Sequence, residues 1–212
     1  VTGSSGIRDR PWEPVVWPAN AEAAGVLREW LRDPDETLYA VDQDFRGADL
    51  SGADFSEAWL TGSDFSAATL RNAVLYRSHC EDADFQDADL ECVDLVKAGI
   101  DRANFSGSRM PGANLRRVEC MGTSFAQADM RRATLGDAIF IRCDMNGIDL
   151  RGSVANMTSF SAVEFTNAKV EGMTGTVMGS LLVHGDDEAT ELTEVEMERW
   201  LRRHGADVSV RD

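Results

Sequence analysis

The sequence predicts an all-β solenoid with four-sided coils, and three observations predict it. From Phe45 to Val170 every fifth residue is large and apolar, or is Met or Cys, giving twenty-six centres with no insertion and one weak member, Ala155. A second set of small residues, including Ala48, Ala53, Ala68 and Ala103, stands two positions before the centres. Phe45, Phe65, Phe85, Phe105 and Phe125 recur every twenty residues, as does Phe165 after a Met at 145. A period of five fits neither the 3.6 of a helix nor the 2 of a strand, both of which scatter the centres over every face. A coil of four pentads keeps each centre inside and stacks the phenylalanines. At about 4.8 Å per coil, six to seven coils make a rod roughly 30 Å long.

The elements follow in chain order. Residues 1–40 read as an extension and a capping helix: Asn20 precedes AEAAGVLREWLR, with Val26, Leu27, Trp30 and Leu31 on one stripe and Pro34 closing it. This lid covers the apolar end that any solenoid exposes. Trp12 and Trp17 lie among Pro11, Pro14 and Pro18, an extended stretch expected to pack on the lid, the alternative being that it reaches a partner. Residues 41–175 are the repeat, with glycines such as Gly47, Gly52 and Gly107 at its corners. Residues 176–212 form a second cap, a strand–helix–strand unit. Leu181, Leu182 and Val183 read as a short strand, Thr193 with Glu196 as a capping box, Gly205 as a helix stop, and Asp207 to Val210 as a last strand. Val195, Met197, Trp200 and Leu201 give that helix an apolar stripe.

The units Ala48-Asp49-Leu50-Ser51-Gly52, Ala53-Asp54-Phe55 and Ala113-Asn114-Leu115 resemble the pentapeptide-repeat family over about residues 43 to 172. The resemblance implies a right-handed quadrilateral β-helix in which the small residue and the centre point inward and the other three outward. It extends to the quinolone-resistance members, which dimerise end to end through C-terminal elements and act as mimics of duplex DNA on gyrase or topoisomerase IV. By that resemblance Val195, Met197, Trp200 and Leu201 are candidates for a homodimer interface; the alternative is a lid folded on its own rod.

Little in the sequence reads as catalysis. Cys80, Cys92, Cys120 and Cys143 form no CxxC pair, and only three histidines accompany them, so neither a disulfide framework nor a metal site is signalled. Cys80 and Cys120 are repeat centres two coils apart, hence core fillers. His184 beside Asp186 and Asp187 reads as a solvated turn. A small-molecule or enzymatic reading rests only on the face around Trp59, His79, Arg109 and Glu119. No cofactor and no enzymatic activity are expected.

Charge carries the functional signal. The 212 residues hold 37 acids and 21 bases, a net charge of -16 that disfavours direct nucleic-acid binding, since phosphate contacts need clustered cations. No apolar run approaches the ~20 residues of a membrane span, so a soluble cytoplasmic protein without membrane contact is expected. Residues 41 to 95 contain 13 acids and 3 bases, whereas residues 96 to 175 contain 8 acids and 10 bases. In the first half the outward position before each centre is repeatedly acidic. Asp44, Asp64 and Asp84 should stack in one file and Asp49 and Asp89 in the next, with Asp54 and Asp94 also outward. These seven are the candidate partner-binding surface, and gyrase or topoisomerase IV the candidate partner. The runner-up is an interaction scaffold for an unrelated protein.

Overall fold

The protein is described by a computed structural model covering residues 12–184 and 189–211. Its core is the expected four-sided coil. Parallel bridges join residues twenty apart on every face, as in Asp44 to Asp64 to Asp84 and Trp59 to His79 to Gly99. One file runs Tyr39, Trp59, His79, Gly99, Glu119, Ile139, Ser159, Met178, which is seven coil-to-coil steps. The centres and the small residues before them are buried, including Phe45, Leu50, Ala53 and Phe55.

The hydrogen bonds explain why five residues repeat. In the pentad centred on Phe65, the amide of Phe65 donates to Asp84 O at 2.7 Å, that of Ala67 to Gln86 O at 2.9 Å, and that of Thr69 back to Ala48 O at 2.8 Å. The amide of Ala68 closes the corner on Phe65 O at 2.9 Å. One amide per pentad, that of Ser66, is left without a backbone acceptor, and Asp64 Oδ1 accepts it at 2.9 Å. Buried or not, a backbone donor seeks a partner, and the short side chain before the centre supplies it. Where Arg109 stands at that position, the residue two on is Pro111, which has no amide to satisfy.

Phe45, Phe65, Phe85, Phe105 and Phe125 form a stacked ladder with centroids 4.7–5.2 Å apart. At Met145 the aromatic column changes side: Phe125 meets Phe140 edge-on at 5.9 Å, and Phe140 stacks on Phe160. Strands lengthen here, with β1 (Glu119–Met121), β2 (Ile139–Ile141), β3 (Val154–Glu164) and β4 (Thr174–His184) in parallel register.

The last coil departs from expectation. The short strand expected at 181–183 is the end of the eleven-residue β4, because the glycine-rich stretch before it is also strand. Two irregularities shorten its register, so that Asn156 faces Thr176, Thr158 faces Val177 and Val163 faces Leu181. Gly175 and Gly179, with φ of 128° and 93°, make this possible, since a Cβ at Gly179 would overlap the Phe160 carbonyl.

Both ends are covered. Helix α1 (Ala21–Trp30) is capped by Asn20, whose Oδ1 accepts from Glu22 and Ala23 at 2.9 and 3.1 Å. It buries Ala23, Ala24 and Leu27, while Val26 and Trp30 are half-buried. The N-terminal stretch goes further than the lid: Val15 and Val16 pair antiparallel with Asp49, and Trp12 Nε1 donates to Ser51 O at 2.9 Å. Trp17 takes Arg28 over its ring at 4.7 Å. Pro11 lies outside the described residues. At the other end, β5 (Ala189–Thr193) and β6 (Asp207–Arg211) pair with the two halves of β4, antiparallel and parallel, flanking α2 (Glu194–Arg203). Thr193 is the α2 N-cap but its side chain makes no capping bond, so the capping box is not formed. Gly205 ends the helix at φ 87°, as expected.

Candidate functional site

The seven carboxylates occupy three faces of the first coils. Asp44, Asp64 and Asp84 are consecutive in one file; Asp49 and Asp89 flank Thr69 in the next; Asp54 and Asp94 flank Val74 in the third. The fourth file carries Tyr39, Trp59 and His79 instead. Each of the seven accepts the amide two residues on through Oδ1, at 2.9–3.3 Å. Asn104 and Asn114 accept the same amide at 3.1 and 3.4 Å. Where the corner bond forms, it therefore uses the oxygen and not the charge. Negative charge at seven such positions is a separate property of this surface.

Some of that charge is locally neutralised. Arg46 bridges Asp44 at 2.7 Å and approaches Asp64 at 3.4 Å, and Arg71 and Arg109 both bind Asp89, at 2.6 and 3.0 Å. The Arg46 guanidinium holds the Asp44 carboxyl below its ordinary range, and Arg102 does the same for Asp82. Asp49, Asp54, Asp84 and Asp94 have no ion pair among the described residues. Asp49 is half-covered at the point where Val16 crosses it, leaving Asp54 as the most open of the four. In the second half, Arg131 and Arg151 hydrogen-bond Asp129 and Asp149 at 2.6–3.2 Å, so the same corners are closed by internal pairs.

The register and the packing place the remaining candidate residues. Arg109 does not join Trp59, His79 and Glu119, because the register puts it in the file of Asp89 and Asp129. Trp59 and His79 do stack, with centroids 4.0 Å apart, and Tyr39 lies parallel to Trp59 at 6.2 Å. In α2, Met197 and Leu201 are buried against the same chain, and half-buried Trp200 packs edge-on to Phe165 at 5.9 Å. Of the four candidate interface residues only Val195 stays open, at 64 % exposure. The stripe serves as a lid for its own rod. His184 lies 3.4 Å from Glu164 Oε2, and Asp186 and Asp187 fall outside the described residues. Cys80 is a core residue as expected, its thiol pushed up to about 12 by burial. Cys120 meets Cys143 one coil on, Sγ to Sγ 3.6 Å, a contact that the spacing of 23 could have revealed. Among the described residues no helix is long and apolar enough to cross a membrane.

Fold and surface together define a four-sided β-solenoid that displays carboxylates in files along its first coils. Family models described as pentapeptide repeats match residues 44–89 in one form and 78–117, 100–137 and 119–154 in another, so the chain belongs to the pentapeptide-repeat family. Similar solved structures include HetL from the cyanobacterium Nostoc, a pentapeptide repeat protein involved in heterocyst differentiation regulation. It is 21 % identical over 71 % of this chain and 82 % of its own, with a TM-score of 0.40. A pentapeptide repeat protein from the Arabidopsis thaliana thylakoid lumen is 33 % identical over 51 % of this chain and 68 % of its own, with a TM-score of 0.33. A trypsin-treated variant of QnrB1, a plasmid-mediated fluoroquinolone resistance protein, is 13 % identical over 66 % and 72 %, with a TM-score of 0.41. No curated protein matches the chain.

Proposed function

We propose that this protein is a non-enzymatic DNA mimic that binds DNA gyrase or topoisomerase IV and shields it from a poison, or inhibits it, through the acidic first half of its rod. One observation carries this reading: Asn satisfies the corner as well as Asp does, yet residues 41 to 95 use Asp at seven outward corners. Carboxylates one coil apart in the Asp44 file, about 4.8 Å, and two coils apart in two others give the rod a negative field, which steers it to a basic groove. The second half, net +2 over residues 96 to 175, contributes less, so the mimic is about half a rod long. Pairing of two copies through the cap uses Val195, the open part of Trp200 and the outer edges of β5 and β6, because Met197 and Leu201 are already covered.

The test is gyrase supercoiling with and without a fluoroquinolone, comparing the wild type with the triple variant Asp54→Asn, Asp84→Asn, Asp94→Asn. The reading expects a dose-dependent effect that the variant loses. The scaffold reading is favoured instead by binding to some other protein that persists in high salt, where screened surface charge contributes little.

A further inference from the structure

The N-terminal lid leaves a cavity of about 430 Å³ between α1, the turn that follows it and the first coil. Its walls are aromatic: Trp12, Trp30 and Phe55 form a triangle with centroids 6.2, 5.9 and 5.7 Å apart. The two indoles are half-buried, so each keeps surface toward the opening. They are also held in place, Trp12 Nε1 by Ser51 O and Trp30 Nε1 by Glu36 O, both at 2.9 Å. The three rings pack on one another with Phe55 fully buried, and around them stand Asp35, Glu36, Asp54 and Glu57. None of the described lining residues is cationic. Arg77 reaches Glu57 at 3.6 Å from outside, and Arg28, the cation of α1, is spent on Trp17.

From these observations we infer that the cavity binds a small organic ammonium ion, held by the Trp12 and Trp30 rings and by the surrounding carboxylates. Indole faces attract cations through the ring quadrupole, most strongly for alkylated ammonium groups, which shed water easily. The carboxylates add long-range attraction without needing to desolvate, since they line the mouth. A neutral ligand of the same shape gains only the apolar contact. The inference does not rest on the topoisomerase reading, although Asp54 belongs to both surfaces, and the site stands at the opposite end of the rod from α2.

The experiment uses the full chain and two probes of equal shape, choline and its uncharged carbon isostere 3,3-dimethylbutan-1-ol, with binding read by calorimetry and tryptophan emission. Choline is expected to saturate, and the isostere to bind roughly tenfold more weakly or not at all. Trp12→Leu should weaken choline roughly tenfold with the isostere much less affected. Because Trp12 also packs on the first coil, the pair Asp35→Asn, Glu36→Gln provides a second readout in exposed positions, and it too should weaken choline and leave the melting temperature unchanged. The inference is overturned if choline does not saturate, if the isostere binds equally well, or if the carboxamide pair binds choline as the wild type does.

Discussion

Asn104 lies one coil beyond Asp84 in the same file and donates its Nδ2 to Asp84 Oδ1 at 3.0 Å, while each side chain accepts the amide two residues on. The two residues perform the same backbone service, one charged and one neutral. The corner thus separates stability from charge at each such position, which makes the acidic surface open to substitution without loss of fold.

The triple variant Asp54→Asn, Asp84→Asn, Asp94→Asn should therefore melt within about 2 °C of the wild type, because all three corner bonds survive. The corresponding alanines leave three amides to water and should cost about 1 kcal/mol each. Thermal unfolding by circular dichroism checks both.

Phe105 sits in the ladder between Phe85 at 4.7 Å and Phe125 at 5.2 Å, and is fully buried. Phe105→Ala should cost about 3–5 kcal/mol and Phe105→Leu less, since leucine serves as the centre in the neighbouring columns. Denaturant unfolding measures the difference.

Gly179 approaches Phe160 backbone to backbone. Its replacement by alanine forces the carbonyl of β3 aside and should cost about 3 kcal/mol. Gly52→Ala is the control: it has φ 72° but nothing within 4 Å of the added Cβ, so it should cost only about 1 kcal/mol.

Acid should weaken the rod from its ion pairs. Hydrogen bonds from Arg46, Arg102 and Arg131 lower the carboxyl pKa of Asp44, Asp82 and Asp129 in the folded chain. A lowered folded value stabilises above the unfolded value of ~3.9, and the contribution disappears as pH falls through the folded value. Melting temperature should be insensitive to these groups at neutral pH and drop below about pH 4.

Cys92 is exposed whereas Cys80, Cys120 and Cys143 are buried. A thiol reagent should modify Cys92 alone in the native chain and all four cysteines after unfolding. Mass spectrometry after a short native pulse decides it.

The repeat was legible because one local rule generates it. Most pentads bury a large centre and turn on an i to i+3 bond, and thirteen of them hand the next amide to an Asp, Asn or Ser before the centre, so the rule repeats along the whole rod. Asn20 and Gly205 were legible for the same reason, as local backbone requirements. The files follow from counting by twenty, which also places Arg109 with Asp89 rather than with His79. What the sequence did not show happens once and at a distance: the Val16 to Asp49 pairing, the Trp12 to Phe55 contact that builds the cavity, and the two-residue shortening against β3. The apolar stripe of α2 is an interface candidate by resemblance alone, because amphipathicity shows that a face is buried and not against what. Here Met197 and Leu201 bury against their own rod.

The central claim is that charge on the first coils, rather than their shape, engages a topoisomerase. Titrating wild type and the Asp54, Asp84, Asp94 triple Asn variant into a gyrase supercoiling reaction containing a fluoroquinolone tests it most directly. The account predicts that wild type changes the yield of supercoiled or cleaved DNA at micromolar protein and that the equally stable variant has lost that effect. An inert wild type, or a variant that acts as strongly, contradicts it.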